Sequence, residues 1–112
     1  LMLDSTIYTL RQVSKKSQAS IWRAVVEELS KPKSKRRQIN LGKISRLTKK
    51  GDVILVPGKI LGGGTLSHSL VIGAYSYSQT ALQKISKARG KPLFLVDFAE
   101  KYADGKDVKL IG

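Results

Sequence analysis

The pattern of the chain predicts a small, single-domain α/β protein, an N-terminal helical hairpin followed by irregularly alternating strands and helices. Three observations carry this. Up to residue 30 the apolar residues recur every three or four positions, whereas beyond residue 52 they fall into short unbroken runs of the kind expected of strands buried on both faces. Those runs alternate with segments of helical period, which argues for crossover connections. Finally, 112 residues at 41% hydrophobic composition suffice for one core, burying roughly 65% of the unfolded surface.

Taken in order, residues 3–16 place Leu3, Ile7, Leu10 and Val13 on one helical face, with Arg11, Lys15 and Lys16 near the C-terminal end, where cations suit the helix dipole. Residues 17–30 form a clearer helix. Trp22, Val25, Val26 and Leu29 make its stripe, Ser17 is the expected cap and Pro32 blocks continuation. The two helices, residues 1–30, are expected to pack on a sheet, being too short to be stable alone in water. Residues 31–38 read as a basic arm and residues 39–112 as the α/β core. Within the core Asn40 is the expected cap of a short helix turning Leu41, Ile44 and Leu47 inward, with Gly51 as its stop. Residues 53–56 form a strand interrupted by Pro57-Gly58 and resumed at Lys59, Ile60 and Leu61. Gly62, Gly63 and Gly64 then lead towards a second strand over residues 70–75. Tyr75 and Tyr77 would share one face of a regular strand, as packing residues. Ser78 is placed to cap a helix over residues 79–89, ended by Gly90. A strand at residues 93–96, one or two helical turns over 98–103, a turn at Asp104-Gly105 and a strand at 108–111 complete the chain.

Charge is the strongest bulk signal. Twenty-one Lys and Arg oppose eight Asp and Glu, giving net +13 and a pI near 10.2, so a polyanionic partner is expected. Nine of those cations fall between residues 31 and 50 with no acid among them: Lys31, Lys33, Lys35, Arg36, Arg37, Lys43, Arg46, Lys49 and Lys50. Phosphates would neutralise such a run collectively, with release of counterions, and the arginines add bidentate geometry. Aromatic residues are too few and too irregular for a single-strand stacking platform. The absence of cysteine excludes disulfides and thiolate chemistry. No apolar run approaches bilayer length and no leader pattern opens the chain, so it reads as soluble, unsecreted and compatible with a reducing cytoplasm.

A set of short motifs, Ile21-Trp22-Arg23, Asn40-Leu41-Gly42-Lys43-Ile44, Gly51-Asp52-Val53, Pro57-Gly58-Lys59, Leu61-Gly62-Gly63-Gly64, His68 and Ala74-Tyr75-Ser76-Tyr77-Ser78, is specific through its order and spacing. In these the chain resembles the L-eighteen-e family of archaeal and eukaryotic large-subunit ribosomal proteins, relatives of bacterial protein L-fifteen. The resemblance covers most of the chain. It implies a superhelix-like arrangement of strands and helices and a place in the large ribosomal subunit, on ribosomal RNA and beside neighbouring ribosomal proteins.

Chemistry of other kinds finds little support in the residues. Gly58-Lys59 fails as a P-loop, because Ile60 replaces the hydroxyl that would hold magnesium and no glycine lies five residues before Gly58. The dinucleotide fingerprint fails at Ser67, where a third glycine belongs. His68, the only histidine, has no acid or nucleophile placed against it by the sequence and reads as a loop histidine bonded to backbone or RNA. Trp22 reads as core. The expectation is therefore a structural RNA-binding protein, not an enzyme, on cytoplasmic ribosomes, with no cofactor, metal, membrane or small-molecule substrate. Its RNA contacts are expected at the nine cations above, at Lys59, and at Gly62, Gly63, Gly64 and His68. A non-ribosomal RNA chaperone and, more remotely, a nucleotide-binding enzyme are the alternatives.

Overall fold

β2, Val53–Leu61, is the strand on which the sheet is registered, in a computed structural model that describes residues 2–17, 20–31 and 37–111. The elements run α1 (Met2–Ser17), α2 (Ser20–Leu29), β1 (Gln38–Asn40), α3 (Leu41–Leu47), β2, β3 (Val71–Tyr77), α4 (Gln79–Lys87), β4 (Lys91–Phe94), α5 (Leu95–Lys101) and β5 (Val108–Leu110). All pairings among the described residues are parallel. β3 occupies one edge of β2 along its length and carries β4 beyond it. The other edge of β2 is shared: β5 pairs with Val53, Ile54 and Leu55, and β1 with Lys59, Ile60 and Leu61.

Pro57 falls in the gap between these two short partners, where its missing N–H breaks no ladder. The expected interruption at Pro57-Gly58 is therefore a bulge within one strand: three steps of β2 from Val56 to Lys59 match two of β3 from Ala74 to Ser76. Gly58 is required there because a Cβ would overlap the Arg37 carbonyl oxygen. That carbonyl accepts the Lys59 N–H at 3.1 Å.

Helices cover both faces. On one, Ile54, Val56, Ile60, Ile72 and Ala74 meet Leu41 and Ile44 of α3 and Ala81 and Ile85 of α4. On the other, Leu55 meets Leu10 of α1, Trp22 and Val25 of α2 and Phe98 of α5. The hairpin thus packs on the sheet as its length demands. Trp22 is fully buried, donates its Nε1–H to the Ala103 carbonyl at 2.8 Å and meets Phe98 edge-on. Gly73 lies under the Phe98 ring, which a Cβ would overlap. The superhelix-like arrangement implied by the resemblance takes the form of one parallel sheet, its irregularity confined to the bulge and the divided edge.

Several local expectations need correction. Ser17 closes α1 instead of capping α2, which begins at Ser20; residues 18 and 19 lie outside the described residues. α3 stops at Leu47, before Gly51. Thr48 is its C-cap and returns its hydroxyl to the Ile44 carbonyl at 2.7 Å, while Gly51 (φ +85°) turns the chain into β2. Leu47 is 52% exposed, not turned inward. The last strand of the 90s is Lys91–Phe94, and Leu95 and Val96 already belong to α5, because Leu95, Phe98 and Ala99 bury at helical spacing. Tyr75 packs on the hairpin side and Tyr77 on the other. The Tyr77 hydroxyl lies 2.6 Å from the Leu93 carbonyl and 3.0 Å from that of Ile72, and accepts the Leu93 N–H at 3.2 Å. Burial pushes this phenol well above its ordinary pKa. Ser78 caps α4 as expected, accepting the Ala81 N–H at 3.1 Å.

Candidate nucleic-acid interface

The loop that returns the chain from β2 to β3, residues 62–70, must run back along the sheet, and it does so between α3 and α4. Its three glycines are fastened at both sides. Asn40, expected as a helix cap, makes no side-chain cap bond; its Oδ1 accepts the Gly63 N–H at 3.0 Å. The Gly42 N–H donates to the Gly63 carbonyl at 2.8 Å. Gly64 (φ +78°) lies so close to the first turn of α3 that a Cβ on it would sit 2.7 Å from the Gly42 Cα. From α4, the Lys84 ammonium donates to the carbonyls of Gly62 and Gly64, each at 2.6 Å. All three glycine carbonyls are thus bound to protein donors, and glycine is needed for backbone approach.

His68 continues the fastening. The Thr48 hydroxyl proton is committed to the Ile44 carbonyl, so at 2.8 Å it is His68 Nε2 that carries the hydrogen and donates. Nδ1 lies 3.1 Å from Ser67 Oγ, which is 2.9 Å from Ser45 Oγ, and that oxygen accepts the Ser67 N–H at 3.1 Å. His68 is therefore bonded to side chains of α3's end and of its own loop, where the sequence suggested backbone or RNA.

Between the first turn of α3 and this loop lies a shallow groove of about 460 Å³, lined by Gln38, Ile39, Asn40, Gly42, Lys43, Arg46, Gly63 and Gly64. Among the described residues its charges are Lys43 and Arg46, both exposed, and no acid lines it. Lys49 and Lys50 follow in the exposed turn after α3. The other expected cations among the described residues lie elsewhere. Lys31 and Arg37 stand 2.9 and 3.4 Å from the Glu28 carboxylate of α2. These two cations are thus compensated by an acid from outside the 31–50 run. The Lys31 hydrogen bond, ahead of the nearby charges and against the cost of burial, holds that carboxyl below its ordinary range. Lys59 is half-buried in β2, in register with Gln38 and Ser76, and does not line the groove. Lys33, Lys35 and Arg36 lie outside the described residues.

Residues 19–92, more than half of the chain, match the family model described as ribosomal proteins 50S-L15, 50S-L18e and 60S L-twenty-seven-A. The chain belongs to this family. It is similar to "Large ribosomal subunit protein eL18" of Pyrobaculum aerophilum, 38% identical over 102 residues that cover 91% of this chain and 84% of that protein. The protein of the same name from Sulfurisphaera tokodaii is 43% identical over 96 residues, 86% of this chain and 81% of its own. That of Sulfolobus acidocaldarius is 42% identical over 113 residues, 99% and 92% respectively. The family is one of structural ribosomal proteins, not of enzymes. Asn40, Gly42, Gly63 and Gly64, which carried much of the family resemblance, are among the residues that join α3 to the loop.

Sequence reasoning missed Lys84, Glu28 and the Ser45–Ser67–His68–Thr48 chain. Lys84 had a signal. With Ala81, Ile85 and Ala88 it completes an i, i+3, i+4, i+7 face, so its charge is aimed inward. Among the described residues no three metal-binding side chains cluster, and no helix is long and apolar enough to cross a membrane.

Proposed function

We propose that this chain is a constituent of the large ribosomal subunit that binds and stabilises ribosomal RNA, with the α3 groove as the principal contact. The observation that carries the reading is a groove with no acid among the described residues that line it, bearing Lys43 and Arg46 on an anchored helix, with Gly63 and Gly64 as its bare opposite wall. Without side chains there, an RNA backbone can approach closely. Arg46 offers a bidentate fork to phosphate oxygens and Lys43 a compact charge. Lys49 and Lys50 extend the contact from the exposed turn after α3, and Lys33, Lys35, Arg36 and Lys59 add to the general attraction. His68 serves by holding the loop wall. Recognition is by shape and charge, because the A-form major groove is too narrow to read. The single domain sits on cytoplasmic ribosomes, with Asp97, Glu100, Asp104 and Asp107 offering acidic groups to neighbouring proteins.

The test is co-sedimentation of a Lys43→Glu/Arg46→Glu variant with salt-washed large subunits across a salt series. Loss of two phosphate contacts lowers the slope of log affinity against log salt by about two. A slope equal to that of the unaltered protein removes the groove from the interface.

A further inference from the structure

The exposed Leu47 is the feature that the RNA groove leaves unexplained. It stands on α3 among Lys43, Arg46, Lys49 and Lys50, and 52% of its surface is open. Across from it, β5 presents Leu110, 44% exposed. Together with Lys43, Lys109 and Ile111 they line a second concavity of about 470 Å³ on the other flank of α3. Its volume falls in the range of small-ligand sites, roughly 300–1,000 Å³.

We infer that this second groove receives one unpaired nucleotide of the bound RNA, its base against Leu47 and Leu110 and its phosphate at Lys43. The inference rests on the RNA-binding reading above and names which RNA feature the site takes. Lys43 lines both grooves, so a backbone following the first passes the mouth of the second. Lys109 is already 3.1 Å from the Asp52 carboxylate. Its charge is answered, and its methylene stem adds apolar floor. Lys43 remains as the phosphate partner. Among the described residues no acid lines the groove. A floor of three aliphatic residues with a cation at its lip complements an object with one apolar face and one negative end. A nucleotide is such an object, whereas the centres of protein–protein patches are depleted in lysine. Paired RNA hides its base faces, so only a bulged or looped nucleotide can offer one. Leucine is among the side chains that serve as apolar partners of unstacked bases.

The experiment compares two RNA hairpins identical except that one carries a single bulged 2-aminopurine, titrated with the full chain and with a Leu47→Ser/Leu110→Ser variant. Both leucines are exposed, so the variant keeps its fold, which circular dichroism verifies. The unaltered chain is expected to prefer the bulged hairpin by about fivefold, the low end for one base contact, with a rise in 2-aminopurine fluorescence as the base leaves the stack. The variant is expected to lose the preference and the fluorescence rise while binding the fully paired hairpin as before. Equal affinity of the unaltered chain for both hairpins, or a variant that keeps the preference, overturns the inference; a protein segment would then be the occupant to seek. Failure of the unaltered chain to bind either hairpin overturns the RNA-binding reading itself, and this inference with it.

Discussion

Replacing Lys84 with methionine isolates the ammonium that fastens the glycine loop, because methionine keeps the apolar stem of lysine. Two bonds disappear, each at 2.6 Å, to the carbonyls of Gly62 and Gly64. A hydrogen bond from a charged donor contributes about 1.5–3 kcal/mol net. The Gly64 bond is exposed, so water takes over that carbonyl and most of its worth is recovered. The Gly62 bond is partly buried, and its loss dominates. The expected cost is therefore about 2 kcal/mol. With a urea dependence of roughly 1.5 kcal/mol/M, reasonable for a domain of this size, the unfolding midpoint falls by about 1.3 M. Lys87→Met on the same helix is the control, since Lys87 is exposed and its loss removes charge without loosening the glycines. Midpoints for the two variants that agree within about 0.3 M would refute the account of Lys84 as the loop's anchor. They would mean that the glycine wall stands without the ammonium, on its bonds to Asn40 and Gly42 and on the loop's further bonds to Ser45 and Thr48.

Other perturbations probe the rest of the frame. Gly58→Ala drives a Cβ into the Arg37 carbonyl, and backbone cannot swing aside as a side chain does; calorimetry is expected to show a loss of more than about 2 kcal/mol, and a loss below about 0.5 kcal/mol would contradict the close β1–β2 approach. Tyr77→Phe strips the Leu93 N–H and carbonyl of their partner and is expected to cost about 1–2 kcal/mol in urea unfolding; an unchanged midpoint would mean water replaces the phenol. The Asp52 carboxyl lies below its ordinary 3.8, first because the Lys49 N–H bonds it and then through Lys109. A depressed folded pKa gives stability that is present above 3.8 and lost as pH falls through the folded value. Asp52→Asn is therefore expected to be less stable than the unaltered chain at about pH 6, the gap closing as acid titrates Asp52. A gap that persists at about pH 2 would assign the effect to something other than charge.

What was legible in the sequence is what depends on neighbours along the chain. Ser78 caps α4 because its partner, the Ala81 N–H, is three residues away. Trp22, Val25, Val26 and Leu29 bury as their spacing demands. The misreading of Leu47 has a geometric cause. Leu41, Ile44 and Leu47 recur at intervals of three, and each such step falls about 60° short of a turn. By Leu47 the side chain has rotated roughly 120° away from Leu41 and out of the core. β1 was not legible at all. Gln38–Asn40 is a strand because half of one β2 edge was left vacant by β5, which local propensity cannot report. The compensation of Lys31 and Arg37 by Glu28 was missed for a related reason, since the acid lies on a helix before the basic run and reaches it only in three dimensions.

The divided edge of β2 also bears on how RNA would be met. By placing β1 beside Lys59–Leu61, it sets the start of α3 against the glycines that leave the end of the same strand. The bonds from Asn40, Gly42 and Lys84 then fix the loop with its carbonyls spent on protein donors. Both walls of the groove accordingly exist before any ligand arrives, and little backbone entropy is left to be lost there on binding. Attraction from a net charge of +13 acts at a distance and is indifferent to register. On the proposed reading it is the prebuilt wall, with Lys43 and Arg46 beside it, that would convert this general attraction into one seating of the RNA. Loosening the wall should thus accelerate dissociation more than it slows encounter, whereas removing distant charges does the reverse.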